Sequence, residues 1–198
     1  MRKVFIFIMM FLFMVNAVLA QGKAAAESKR MRPALVVIDI QNQFLPMVPE
    51  REKEVSLYMI NVFIDLFRKN GFPVIQVHHT DPASGIPAPG SEAFQFPATV
   101  QIKSDDPLVI KNYGNSFNKT ELNKILQDKK CNTVFLCGLS SVGCVLATYF
   151  GAHDLDYKAF MLKDALMSHN SVYTDNIEDI FGAVSYETVE VMLDNAEK

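Results

Sequence analysis

The chain has 198 residues, 49% of them hydrophobic and 21% charged, with a formal net charge of −3. That is the size and balance of one globular domain with room for a full core. No basic stripe runs along it, which excludes nucleic acid as a partner. Trp is absent, so fifteen Phe and six Tyr are left to supply aromatic pocket walls.

The N-terminus opens with Arg2 and Lys3, an unbroken apolar run from Val4 to Val15, and Val18-Leu19-Ala20 before Gln21. This predicts an export signal over residues 1–20, cleaved after Ala20, because the run is short for a membrane span. Residues 21–32 read as a tether and residues 33–198 as the folded domain. The mature chain is then periplasmic or secreted, keeps no stable membrane contact, and has a net charge of about −5.

Within the domain, the apolar run Ala34–Ile38 ending at Asp39 predicts a buried parallel strand. Val55, Met59, Val62, Phe63, Leu66 and Phe67 have helical spacing over residues 50–70, with Gly71 as the stop. Residues 73–78 form a second strand. Residues 80–107 hold Pro82, Pro87, Pro89, Pro97 and Pro107 and read as an irregular excursion that builds a pocket rim and sets specificity. Leu108–Ile110 is a short strand delivering Lys111, and Thr120 caps a helix running to about Gln127. Thr133–Cys137 is a fourth strand closed by Gly138, followed by a helix from Val142 to Asp154. Residues 158–162 form a strand, 173–181 a helix and 187–192 a last strand. Strands alternating with helices predict an α/β, three-layer Rossmann-like fold: a mostly parallel sheet with helices on both faces.

In such sheets ligands bind beyond the carboxyl ends of the strands. Asp39, Lys111 and the Gly138–Cys144 turn all lie at strand ends, so the architecture gathers them at one rim. Cys144 opens a helix, where free N–H groups and the helix dipole predict a lowered thiol pKa and an oxyanion site. Three cysteines, Cys131, Cys137 and Cys144, leave at least one thiol free, and their spacing matches no zinc motif. Pairing of Cys144 with Cys131 or Cys137 would silence it.

Three segments together resemble the isochorismatase-like cysteine hydrolases, over most of residues 33–192. They are Asp39-Ile-Gln41-Asn42-Gln-Phe44; Lys111-Asn-Tyr-Gly-Asn115-Ser116-Phe117 with Thr120 and Leu122; and Gly138-Leu-Ser-Ser141-Val-Gly-Cys144-Val145 with Ala147-Thr148 and Lys163-Asp164-Ala165. The resemblance implies Cys144 as nucleophile, Asp39 as the acid and base, and Lys111 as the group that holds both. It implies an oxyanion hole from the backbone N–H groups of Ser140 and Cys144, a cis peptide at Leu139–Ser140, and a homo-oligomer. The implied reaction is hydrolysis of a small amide through a thioester, without a cofactor. Phe44, Tyr113 and Phe117 are candidate pocket walls, and Phe94 and Phe96 lie in the excursion. Where the family often has Asp in the nucleophile segment, this chain has Val142. Nicotinamidases of the family carry Asp-x-His with a later His for a metal; here the order is His78-His79-Thr-Asp81, so no metal is assigned and nicotinamide is disfavoured. Vinyl-ether-cleaving isochorismatases have Gly at the nucleophile position, and Cys144 argues for amide chemistry instead. The alternatives are a vinyl-ether hydrolase that works without the thiol and a non-catalytic binding protein on the same fold.

Overall fold

The computed structural model describes residues 30–197 except Pro82, so the export signal and nearly all of the tether lie outside the described residues. Five strands, β1 (Pro33–Ile38), β2 (Val74–His79), β3 (Leu108–Lys111), β4 (Thr133–Leu139) and β5 (Lys158–Met167), form one parallel sheet in the order β3-β2-β1-β4-β5. β1 and β4 are central and buried along their whole length, which is why they read as continuous apolar runs.

Side chains alternate across β1. Leu35 and Val37 point to one face, Ala34, Val36 and Ile38 to the other. Helix α1 (Glu50–Lys69) covers the first face with Ile60, Phe63, Ile64 and Phe67, the last edge-on to Phe135 at 5.4 Å. Ala34, Val36 and Ile38 belong to a second cluster, covered by α2 (Leu122–Asp128), α3 (Leu146–Asp154) and α4 (Ser171–Phe181) through Leu122, Leu126, Ala152 and Ile177. A last helix, α5 (Tyr186–Asp194), packs beside α1. The fold is thus the three-layer α/β arrangement read from the sequence.

Three elements depart from that reading. Residues 187–192 are helical, not a strand. Ser185 caps the helix by accepting the Thr188 N–H, and Val189 and Leu193, four apart, form its buried face. The β-branched residues there are outvoted by the cap and the spacing. β5 continues to Met167 because the chain passes Lys163-Asp164 as an irregularity, with Asp164 at φ 60°, and re-enters register at Leu166. Finally, Ser141–Val145 is not α-helical: Gly143, at φ −126° and ψ −106°, breaks the helical path just before Cys144.

The sheet order places the topological switch between β1 and β4, since the chain moves outward from β1 in one direction and then in the other. Parallel sheets leave a crevice beyond the strand ends at that point. Gly138 makes the approach tight: a Cβ there would fall 2.1 Å from the Ile38 carbonyl oxygen, and its φ of +112° suits only glycine.

Candidate active site

Asp39 leaves β1 in the left-handed region, φ 53°, which Asp tolerates better than most residues. Its carboxylate is 3% exposed. Oδ2 accepts from Lys111 Nζ at 2.6 Å, and Lys111, at the end of β3, is fully buried. Lys111 Nζ also donates to the Tyr113 carbonyl at 3.2 Å. Asp39 Oδ1 is buried without a nitrogen or oxygen partner, and the Cys144 thiol is the other group that hydrogen-bonds the carboxylate. Burial pushes the Asp39 carboxyl above its usual range, and the Lys111 ammonium pulls against that.

Cys144 lies at the end of the β4 turn. The Leu139–Ser140 peptide is cis, and the Ser140 carbonyl accepts both the Gly143 N–H at 2.9 Å and the Val145 N–H at 3.1 Å, which fixes the turn around the thiol. The thiol pKa is not lowered as its place near a helix start predicts. It is pushed up to about 11, first by burial and then by the Asp39 carboxylate, with Lys111 opposing. Two effects raise it: the thiol is desolvated, and a like charge would form next to Asp39. The resting group is therefore a neutral thiol. Cys131, Cys137 and Cys144 are all free, the first two buried.

Asp39, Lys111 and Cys144, 33 or more residues apart in sequence, are thus brought together. The other motif residues build the frame. Gln41, fully buried, clamps the end of β2: Oε1 accepts the His79 N–H at 2.7 Å and Nε2 donates to the His79 carbonyl at 3.0 Å. Ser116 fastens the lysine segment to α3, its N–H donating to Thr148 Oγ1 at 3.0 Å with the two hydroxyls 2.7 Å apart. Gly151 lets Asn115 lie against the helix, since a Cβ there would sit 2.2 Å from Asn115 Nδ2.

A cavity of about 140 Å³ opens over the thiol, lined by Asp39, Phe44, Met47, His79, Leu139, Ser140 and Cys144. Of the candidate walls, Phe44 is there. Phe117 is not: it stacks on Tyr157 at 5.7 Å and packs against the core. Tyr113 is exposed and contributes its carbonyl to Lys111 instead of a wall. The described residues of the 80–107 excursion do not line the cavity either. Its backbone holds the wall from behind, where Gln95 and Ala93 carbonyls accept the Asn42 and Gln43 N–H groups. Phe94 and Phe96 flank His78, whose ring nitrogens are both engaged, with the Phe94 carbonyl at 2.9 Å and Gln76 Oε1 at 3.1 Å.

Met47 and His79 are the wall residues that sequence reading missed. His79 could have been separated from His78 by strand parity: on β2 the two side chains must point to opposite faces. Among the described residues, no group of three His, Cys, Asp or Glu could hold a metal ion.

The isochorismatase domain model matches residues 33–187. The chain belongs to the isochorismatase family. Its curated relatives include the uncharacterized isochorismatase family proteins YddQ and YrdC of Bacillus subtilis (strain 168). YddQ is 28% identical over 155 residues, covering 74% of this chain and 84% of the relative; YrdC is 26% identical over 151 residues, covering 73% and 81%. Among solved structures, an isochorismatase-like hydrolase from Alkaliphilus metalliredigens superposes with TM-score 0.68 at 20% identity, covering 82% of this chain and 98% of that one. N-carbamoylsarcosine amidase from Thermoplasma acidophilum superposes with TM-score 0.66 at 26% identity, covering 78% and 95%. This isochorismatase-family chain is a hydrolase by fold and family.

Proposed function

We propose that this isochorismatase-family hydrolase cleaves a small amide-type C–N bond through a thioester on Cys144. The observation that carries the reading is the buried Lys111–Asp39 pair, whose carboxylate hydrogen-bonds the neutral Cys144 thiol beside the cavity that Asp39 and Cys144 both line. A thiol with a pKa of about 11 is a poor nucleophile at neutral pH unless a base takes its proton as it attacks. Asp39 is that base. The sulfur adds to the carbonyl carbon, and the Ser140 and Cys144 N–H groups hold the oxygen that becomes negative. The protonated Asp39 then gives its proton to the leaving nitrogen, and the C–N bond breaks to leave the thioester. Asp39 next takes a proton from water, the hydroxyl adds to the thioester, and the thiol is regenerated with release of a carboxylic acid. Lys111 keeps Asp39 oriented and balances its charge through both half-reactions. Likeness to the N-carbamoylsarcosine amidase, a C–N hydrolase, supports the bond type.

Release of ammonia or amine from a panel of small amides, wild type against Cys144→Ala, tests this. Turnover by wild type and its loss in the variant is expected; equal rates would remove Cys144 from the reaction. Export and self-association belong to the same reading. The first is checked by an N-terminus at Gln21 in protein recovered outside the cytoplasm, the second by the mass in solution.

A further inference from the structure

The walls over the thiol carry more information than the catalytic groups do. Phe44, Met47 and Leu139 make them apolar, and the cavity, about 140 Å³, is well below the roughly 300–1,000 Å³ of sites for drug-sized ligands. Among the described lining residues the one formal charge is the Asp39 carboxylate. The Lys111 ammonium is fully buried, engaged by Asp39 Oδ2, the Tyr113 carbonyl and the Cys144 thiol, and is not among the lining residues. A substrate carboxylate would therefore meet a carboxylate and apolar side chains in the wall, and the one cation nearby is already paired with Asp39.

His79 is the polar group left over. Its backbone is locked by Gln41, so the ring is held at the wall, tilted against Phe44 at 6.1 Å between ring centres. Its Nδ1 is buried with no hydrogen-bond partner. A buried polar atom without a partner, next to a cavity, is satisfied when a ligand fills that cavity. Burial and then Lys111 lower its pKa below 6.5, so the ring is neutral and offers one donor and one acceptor.

Resting on the amidase reading above, we propose that the site selects small uncharged amides with an apolar acyl body, and that the His79 imidazole supplies the hydrogen bond that orients them.

Two measurements test it. The first needs no known substrate: the rates at which iodoacetamide and iodoacetate alkylate Cys144, read by intact mass and divided by the same ratio for glutathione. Exclusion of the anion by the Asp39 wall is expected to favour iodoacetamide by about tenfold or more. A normalised ratio near one, or one favouring iodoacetate, overturns the proposal. The second compares hydrolysis of isobutyramide and succinamate by wild type, His79→Phe and His79→Gln. Isobutyramide should be preferred. His79→Phe should lose about 10–100-fold in kcat/KM, and His79→Gln, which keeps a hydrogen-bonding group, should recover most of it. Unchanged kcat/KM in His79→Phe would remove His79 from recognition. If no amide is turned over while iodoacetamide is still favoured, the amidase reading fails and the neutral-ligand cavity stands.

Discussion

Two carboxylates near the carboxyl edge of the sheet are handled in opposite ways. Glu52, on α1, has both oxygens engaged: Oε1 accepts the Ser168 N–H at 3.0 Å and the Thr174 hydroxyl at 2.6 Å, and Oε2 accepts the Ser171 hydroxyl at 2.6 Å. It staples α1 to the β5–α4 junction. Asp39 has Lys111 on Oδ2 and, besides it, the Cys144 thiol. A thiol is a weak hydrogen-bond donor, so this buried carboxylate is the less satisfied of the two. Full satisfaction fits a structural carboxylate, and a thiol as second partner fits the base proposed above.

The largest effect expected from breaking this contrast is in turnover. Asp39→Asn removes the base and should lower kcat/KM by about 10²–10⁴-fold. The same change should make Cys144 easier to alkylate, since the Asp39 charge helps hold the thiol pKa up and Lys111 would then act alone on the thiolate. Wild-type alkylation by iodoacetamide should rise about tenfold per pH unit and level off near pH 11, while the variant levels off earlier. A variant that is slower in both assays would argue against the proton-transfer role.

Lys111→Met leaves a buried carboxylate without its cation. A loss of about 3–5 kcal/mol in urea unfolding is expected, with much of it recovered in the double variant carrying Asp39→Asn. No recovery would mean that Lys111 stabilises the fold through packing alone.

Glu52→Gln should cost about 1–3 kcal/mol in the same assay, because an amide cannot accept on both ends from three donors. The kcat/KM of the folded variant should match wild type. A drop in kcat/KM would erase the distinction between the two carboxylates.

A last effect, on stability against pH alone, concerns Glu178, which burial raises to about 7 from an ordinary 4.5, with the Asp164 and Asp175 charges adding to the rise. The native state therefore holds this proton more tightly than the unfolded chain. Stability is greatest below pH 4.5 for this group and falls as pH rises through the window to about 7. Glu178→Gln should flatten that part of the stability profile; an unchanged slope would assign it to other groups.

The sequence by itself determined the layer architecture and the place of the proposed trio in it. Buried parallel strands must be apolar on both sides, and their ends must meet at one rim, so Asp39, Lys111 and Cys144 were readable from position alone. The family motifs added their roles. Residues 187–192 misled because β-branched composition is a weak local preference, and the Ser185 cap with Val189 and Leu193 facing inward decided for helix. The thiol's proton affinity was not legible, because it depends on how much water the fold removes and on how close Asp39 comes. The same holds for the pocket wall. Which of Phe44, Tyr113, Phe117, Met47 and His79 faces the cavity is set by the Gln41 clamp and the docking of Asn115–Phe117 on α3, contacts between segments distant in sequence. Sequence patterns encode what each segment needs to bury; only the packed tertiary structure decides which polar groups are left short of partners, and among the described cavity-lining residues those are in Asp39 and His79.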